Sequence, residues 1–112
     1  MLVTACACHD CQLESGSAFG YNAFFPERAV TTEGQTQGYT HTFASGRSQT
    51  AQRCATCGSP MWFTMDAVPG TIGLRAGTFL DPDFPPPGAF YYTMRKHHWL
   101  TLPDGLCTHD TD

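Results

Sequence analysis

Five of the six cysteines fall in two short stretches, Cys6-Ala7-Cys8-His9-Asp10-Cys11 and Cys54-Ala55-Thr56-Cys57-Gly58. Thiolates this close in sequence can converge on one metal ion with little backbone rearrangement, and zinc is their usual partner. The count is odd, because a closed zinc site takes four ligands and two such sites take eight. From spacing alone, Cys8-x-x-Cys11 and Cys54-x-x-Cys57 read as the halves of one structural four-thiolate site, with Cys6 spare. The other division gathers Cys6, Cys8 and Cys11 on one metal with an open fourth position, the arrangement of a catalytic zinc. It leaves Cys54 and Cys57 as a half-site.

A disulfide framework requires an oxidising compartment. Met1-Leu2-Val3-Thr4-Ala5 is too short for a signal peptide and lacks its basic start, so the expected compartment is the reducing cytoplasm. A thioredoxin-like redox use of Cys54-x-x-Cys57 needs a helix beginning at the first cysteine. Gly58-Ser59-Pro60 turns the chain there instead, which suits a zinc knuckle. The 112 residues are expected to form one zinc-binding β domain, with a core over residues 5–106 and a C-terminal tail at 107–112. A chain of this size benefits from a metal staple. A net charge of −4 does not favour nucleic acid or an anionic membrane, and no apolar run is long enough for a transmembrane helix.

Eleven glycines, eight prolines and a charged fraction of 14% favour strands and turns over a helical bundle. Strands are predicted at 2–5, 18–25, 30–32, 39–44, 48–53, 61–65, 71–76 and 89–94. His9 to Ser15 reads as a turn or one helical turn, and Pro26 to Ala29 as a single helical turn opened by proline. Tyr39, His41 and Phe43 alternate onto one face, before a Ser45-Gly46-Arg47 hairpin turn that leads back to the second cysteine pair. Ile72, Leu74 and Ala76 alternate likewise. The segment from Leu80 to Gly88 carries four prolines and is neither a central strand nor a helix. The aromatics Phe19, Tyr21, Phe24, Phe25, Trp62, Phe63, Phe90, Tyr91 and Tyr92 are expected in the core.

A resemblance bears on the two divisions of the cysteines. Cys6-x-Cys8-x-x-Cys11, followed by Ser15-Gly16-Ser17-Ala18-Phe19, is similar to the first core motif of the glutathione-dependent formaldehyde-activating enzyme family. Arg53-Cys54-Ala55-Thr56-Cys57-Gly58-Ser59-Pro60-Met61-Trp62 resembles its second motif. Gly73 to Asp81, with Leu80-Asp81-Pro82, and Trp99 to Leu106, with Pro103-Asp104-Gly105-Leu106, resemble later segments. The likeness runs in order from about residue 5 to residue 106. It implies a mainly β fold of several small coiled antiparallel sheets around cysteine–zinc knuckles. It also implies a catalytic-type zinc on Cys6, Cys8 and Cys11, and half of a structural zinc site at Cys54 and Cys57. The family's earlier C-x-C would supply the other half. This chain starts five residues before Cys6, so that zinc is expected to lack two ligands unless Cys54 and Cys57 pair with Cys8 and Cys11.

The activity implied is that of a zinc-dependent carbon–sulfur lyase acting on a thiol–aldehyde adduct such as S-hydroxymethylglutathione, with glutathione as the small-molecule thiol. The alternative is a non-catalytic, zinc-stapled β domain that binds a partner or a thiol ligand. His9 lies inside the first cluster, where a histidine can move a proton or face solvent. His97 and His98, beside Trp99, are candidates for a pocket rim. Cys107 and His109 form a C-x-H that reads as part of a surface tail, although it offers two further ligands. Arg28, Arg47, Arg53, Arg75, Arg95 and Lys96 are the cations available to an anionic ligand. An aromatic strand at an open N-terminal edge is expected to offer a second copy of the chain a pairing surface.

Overall fold

A computed structural model describes residues 1–110. Eight strands join in one mixed sheet: β1 (Leu2–Cys6), β2 (Gly20–Pro26), β3 (Thr36–Thr42), β4 (Ser48–Cys54), β5 (Pro60–Met65), β6 (Thr71–Arg75), β7 (Ala89–Tyr91) and β8 (Cys107–His109). The spatial order is β3-β4-β5-β6-β2-β1-β7-β8. One α-helix, α1 (His9–Ser15), follows β1. The mainly β class holds, but the strands share one sheet rather than several small ones. β7 runs parallel to β1, and β8 parallel to β7. Parallel neighbours need a long crossover, which residues 92–106 supply between β7 and β8.

Alternation along the strands sorts side chains onto two faces. Leu2, Phe24, Gly73, Phe63, Ala51 and Tyr39 pair in one row across the sheet and so share a face. Gly73 is required there by its neighbour. A Cβ at this position would lie 2.3 Å from Cζ of Phe63, so the phenyl ring rests directly over the glycine backbone. Phe24 meets the same ring edge-on, with centroids 5.6 Å apart. On the opposite face, Ala5 and Phe90 pair across β1 and β7. With Ala7 they form a cluster against which Phe19, Leu100, Leu102 and Leu106 pack. The C-terminal segment thus covers one face, while α1 lies over the other, where Glu14 meets Arg75 and Gln49.

The sheet is thinly covered, and this accounts for most departures from the sequence reading. Of the nine aromatics expected in the core, Phe63 and Phe90 are buried and the other seven are half-buried. Residues 30–32 form no strand. The last aromatic strand stops at Tyr91, because Tyr92 takes a left-handed conformation with φ 58° and opens a 3₁₀ turn over Thr93–Arg95. Residues 107–109, expected in a tail, are strand β8. Thr111 and Asp112 of that predicted tail lie outside the described residues. β1 is paired on both sides, so the open edges belong to β3 and β8 rather than to the N-terminal strand. No helix among the described residues is long and apolar enough to cross a membrane.

Gly73→Ala tests the packing at the centre of the sheet. Forcing a methyl group under Phe63 should cost about 1–3 kcal/mol in urea unfolding, the usual range for overpacking. A loss below about 0.5 kcal/mol would show that the ring has room to move away.

Candidate metal centre

Cys6 ends β1 on the face it shares with Gly20 and Tyr91, its neighbours in β2 and β7. The chain then leaves the sheet. Ala7 is buried, and its N–H still donates to the Tyr91 carbonyl at 3.0 Å. Cys8 caps α1: its sulfur accepts from the Cys11 N–H at 3.4 Å. A sulfur here fills the place that a serine or aspartate oxygen commonly takes. Gly16 closes the helix with φ 67°, donating to the Gln12 carbonyl at 2.9 Å. This left-handed cap favours glycine. The single turn of helix brings Cys11 back over β2, where a side chain on Gly20 would meet the Cys11 Cβ at 3.4 Å.

The three sulfurs of Cys6, Cys8 and Cys11 lie within 4.8 Å of one another. They also share protons. Hydrogen bonds from Cys11 and then Cys6 drive the Cys8 thiol far below its ordinary value. Cys11 is driven up by its bonds to Cys6 and Cys8 and by burial. Cys6 is pulled down by Cys11 but pushed up more by Cys8 and burial, to about 11. The Cys8 N–H also donates to the Cys6 sulfur at 3.5 Å.

This donor set fits zinc. Sulfurs at about 2.3 Å from a tetrahedral ion stand about 3.8 Å apart, so only a small contraction separates the thiols from a coordinating arrangement. Three protein ligands leave one position open.

Cys54 and Cys57 are not part of that group. They sit in a separate knuckle after β4, closed by the Gly58 N–H on the Cys54 carbonyl at 2.8 Å and the Cys54 N–H on the Ser59 carbonyl at 2.9 Å. Gly58 has φ 78°. Cys57 is exposed, with its sulfur 3.1 Å from the Ser59 hydroxyl. Hydrogen bonds with Ser59, and then with the Cys54 thiol, hold the Cys57 thiol below its ordinary value. Cys107 and His109 lie on exposed β8, their side chains 3.5 Å apart, with the His109 ring stacked on Tyr91.

Several residues around the cluster were not singled out by the sequence as site residues. Glu14, on α1, forms an ion pair with Arg75 of β6 and accepts from Gln49 Nε2 at 2.7 Å. Arg75 also donates to Asn22 Oδ1 at 3.1 Å and lies 4.3 Å over the Phe63 ring. Burial pushes the Arg75 guanidinium below its ordinary value, and the negative charge of Glu14 opposes that shift. Arg53, one of the candidate cations, donates to the Glu14 carbonyl at 2.8 Å and to the Gly58 carbonyl at 3.1 Å. It thereby ties the second knuckle to the end of α1. The available signal for Glu14 was its place one helical turn after Asp10, but only the fold shows that Arg75 faces it.

On the other side of the loop, Gln12 Nε2 donates to the carbonyls of Ala7 and Arg95, at 2.7 and 3.0 Å, and Gln12 Oε1 lies 3.0 Å from His97 Nε2. His9 is exposed, and its Nδ1 is 2.8 Å from Arg95 Nη1. Arginine only donates, so Nδ1 accepts and the neutral His9 ring carries its proton on Nε2. His98 is exposed. A cleft of about 390 Å³ opens between α1 and the β3–β4 hairpin, where Asp10 meets His41 Nε2 at 3.2 Å.

A family model described as glutathione-dependent formaldehyde-activating enzyme matches residues 1–95. The match takes in both cysteine clusters and ends before the Trp99–Leu106 segment that the sequence reading also aligned. A comparison with curated proteins finds no match. The matched region spans most of the sequence and carries the three-cysteine group intact, and the chain belongs to the glutathione-dependent formaldehyde-activating enzyme family.

Proposed function

We propose that Cys6, Cys8 and Cys11 hold a zinc ion, and that the protein acts there on a thiol–aldehyde adduct such as S-hydroxymethylglutathione. One observation carries the reading: three sulfurs converge within 4.8 Å in a chain of this family. The reaction is the reversible addition of a thiol to formaldehyde. A sulfur–carbon bond forms, the carbonyl π bond opens, and the thiol proton ends on the former carbonyl oxygen. Run backwards, it is a carbon–sulfur lyase step. When bound, zinc supplies a Lewis acid that keeps a substrate thiol in its nucleophilic thiolate form.

The chain's own residues have defined parts in this reading. Gln12 fixes the loop by holding the Ala7 and Arg95 carbonyls together. Arg75, beside Cys11, offsets part of the negative charge of three thiolates. His9 lies between Cys8 and Cys11 in the loop and moves the proton through Nε2. All six cysteines are free thiols, which suits the reducing cytoplasm we assign to the protein.

A non-catalytic, zinc-stapled domain is the second reading. It is favoured by the thin core, in which no large side chain is fully buried among the described residues. Glutathione and formaldehyde separate the two. Exchange NMR should show S-hydroxymethylglutathione forming faster with zinc-loaded protein than with buffer or Cys8→Ser. No acceleration leaves the staple and removes the enzyme.

Two metal measurements follow. Cys8→Ser should abolish tight Co²⁺ or Zn²⁺ binding, whereas Cys57→Ser should change its affinity less than about threefold, because the second knuckle is outside the cluster. Loss of the metal in both variants would favour a shared four-thiolate site. Affinity should also rise with pH. Cys6 and Cys11 hold their protons above the ordinary thiol range and must release them to bind metal. Up to about 100-fold per pH unit is expected for two protons displaced together. A flat profile between pH 6 and 8 would mean that the ligands are already deprotonated.

A further inference from the structure

The cleft between α1 and the β3–β4 hairpin is a ligand site in shape and chemistry. Its volume of about 390 Å³ falls within the range of small-molecule sites. Leu13 on the helix is 81% exposed and Tyr39 on the edge strand 68% exposed, and both line this one concavity. Large apolar groups left in water around a cleft mark a place that something else covers. Tyr39, His41 and Phe43 form a ladder of rings: Tyr39 and His41 stack at 6.5 Å, and Phe43 meets His41 edge-on at 4.9 Å. Asp10 anchors the middle ring.

The charges limit what fits. The guanidinium lining the cleft belongs to Arg53, which already donates to the carbonyls of Glu14 and Gly58. Two carboxylates, Asp10 and Glu14, share the wall with it. Arg75 already balances Glu14 and His41 meets Asp10, so a ligand with two carboxylates of its own would find no unengaged cation among the lining residues. A ring or a branched aliphatic group would find stacking partners and an apolar wall. The cleft also adjoins the three-cysteine loop, since Asp10 lies between Cys8 and Cys11 in sequence and its carboxylate faces the cleft.

The geometry points to a specificity site: the cleft holds the aromatic or branched apolar body of a low-charge thiol, whose sulfur is directed past Asp10 to Cys6, Cys8 and Cys11. The second half of this statement rests on the proposed metal-dependent thiol chemistry; the first half does not.

The test titrates zinc-loaded protein with 2-phenylethanethiol, with 2-phenylethanol and with glutathione, following binding by amide shifts in the NMR spectrum. The aromatic thiol should bind at least tenfold more tightly than glutathione. Leu13→Gln and Tyr39→Thr, both at exposed positions, should each weaken the aromatic thiol at least fivefold and leave zinc content unchanged. Glutathione binding as tightly as the aromatic thiol, or neither variant weakening it, overturns the proposal. Equal binding of 2-phenylethanol and 2-phenylethanethiol overturns the route of the sulfur to the cluster. If the aromatic ligands bind with the same dependence on Leu13 and Tyr39 while zinc analysis finds no metal on the protein, the cleft is supported and the zinc reading fails.

Discussion

The convergence of three thiols at the junction of β1 and α1 is the constraint on which the rest of this structure depends. Cys6 is fixed by a strand paired on both sides. Cys8 begins the helix, and Cys11 lies one turn later. A short helix has little stability of its own, because its first turn fixes many dihedral angles for one hydrogen bond. Here the sulfur cap of Cys8 and the left-handed Gly16 satisfy both ends. The three sulfurs are therefore held together by backbone geometry, and they compete for protons through mutual hydrogen bonds that lower the Cys8 thiol and raise that of Cys11. A divalent ion replacing the remaining protons would relieve that competition.

Around this centre the polar contacts link elements distant in sequence. Glu14 reaches Arg75 and Gln49, Arg53 reaches back to Glu14 and to the second knuckle, and Gln12 holds the segment at Arg95. The Glu14–Arg75 pair is mostly shielded, with side-chain exposures of 22% and 13%. Removing one partner of such a pair costs more than the pair's net contribution, since the other charge is left poorly solvated. The second knuckle is thus coupled to the first through Arg53, although its thiols take no part in the three-sulfur group.

Much of this was legible from residue order. The alternation of Tyr39, His41 and Phe43 correctly placed three side chains on one face, and all three line the cleft. The turn at Ser45-Gly46-Arg47 is observed, with Gly46 at φ 89°. The expected helical turn is a 3₁₀ turn over Glu27–Ala29, which Pro26 precedes as the extended last residue of β2 rather than occupying its first position. The parallel placement of β7 and β8 was not legible, because strand patterning does not encode which neighbour a distant strand chooses. Nor was the partnership of Glu14 with Arg75, separated by 61 residues. The Cys6–Cys8–Cys11 division was legible as one of two options, and it is the three-sulfur grouping that the fold brings together.

The most direct test of the account is X-ray absorption at the zinc edge of the metal-loaded protein. Three sulfurs at about 2.3 Å and one lighter oxygen or nitrogen neighbour at about 2.0 Å are expected for Cys6, Cys8 and Cys11 with an open position. A shell of four sulfurs, in protein free of added thiol, would contradict it and would mean that another cysteine closes the site.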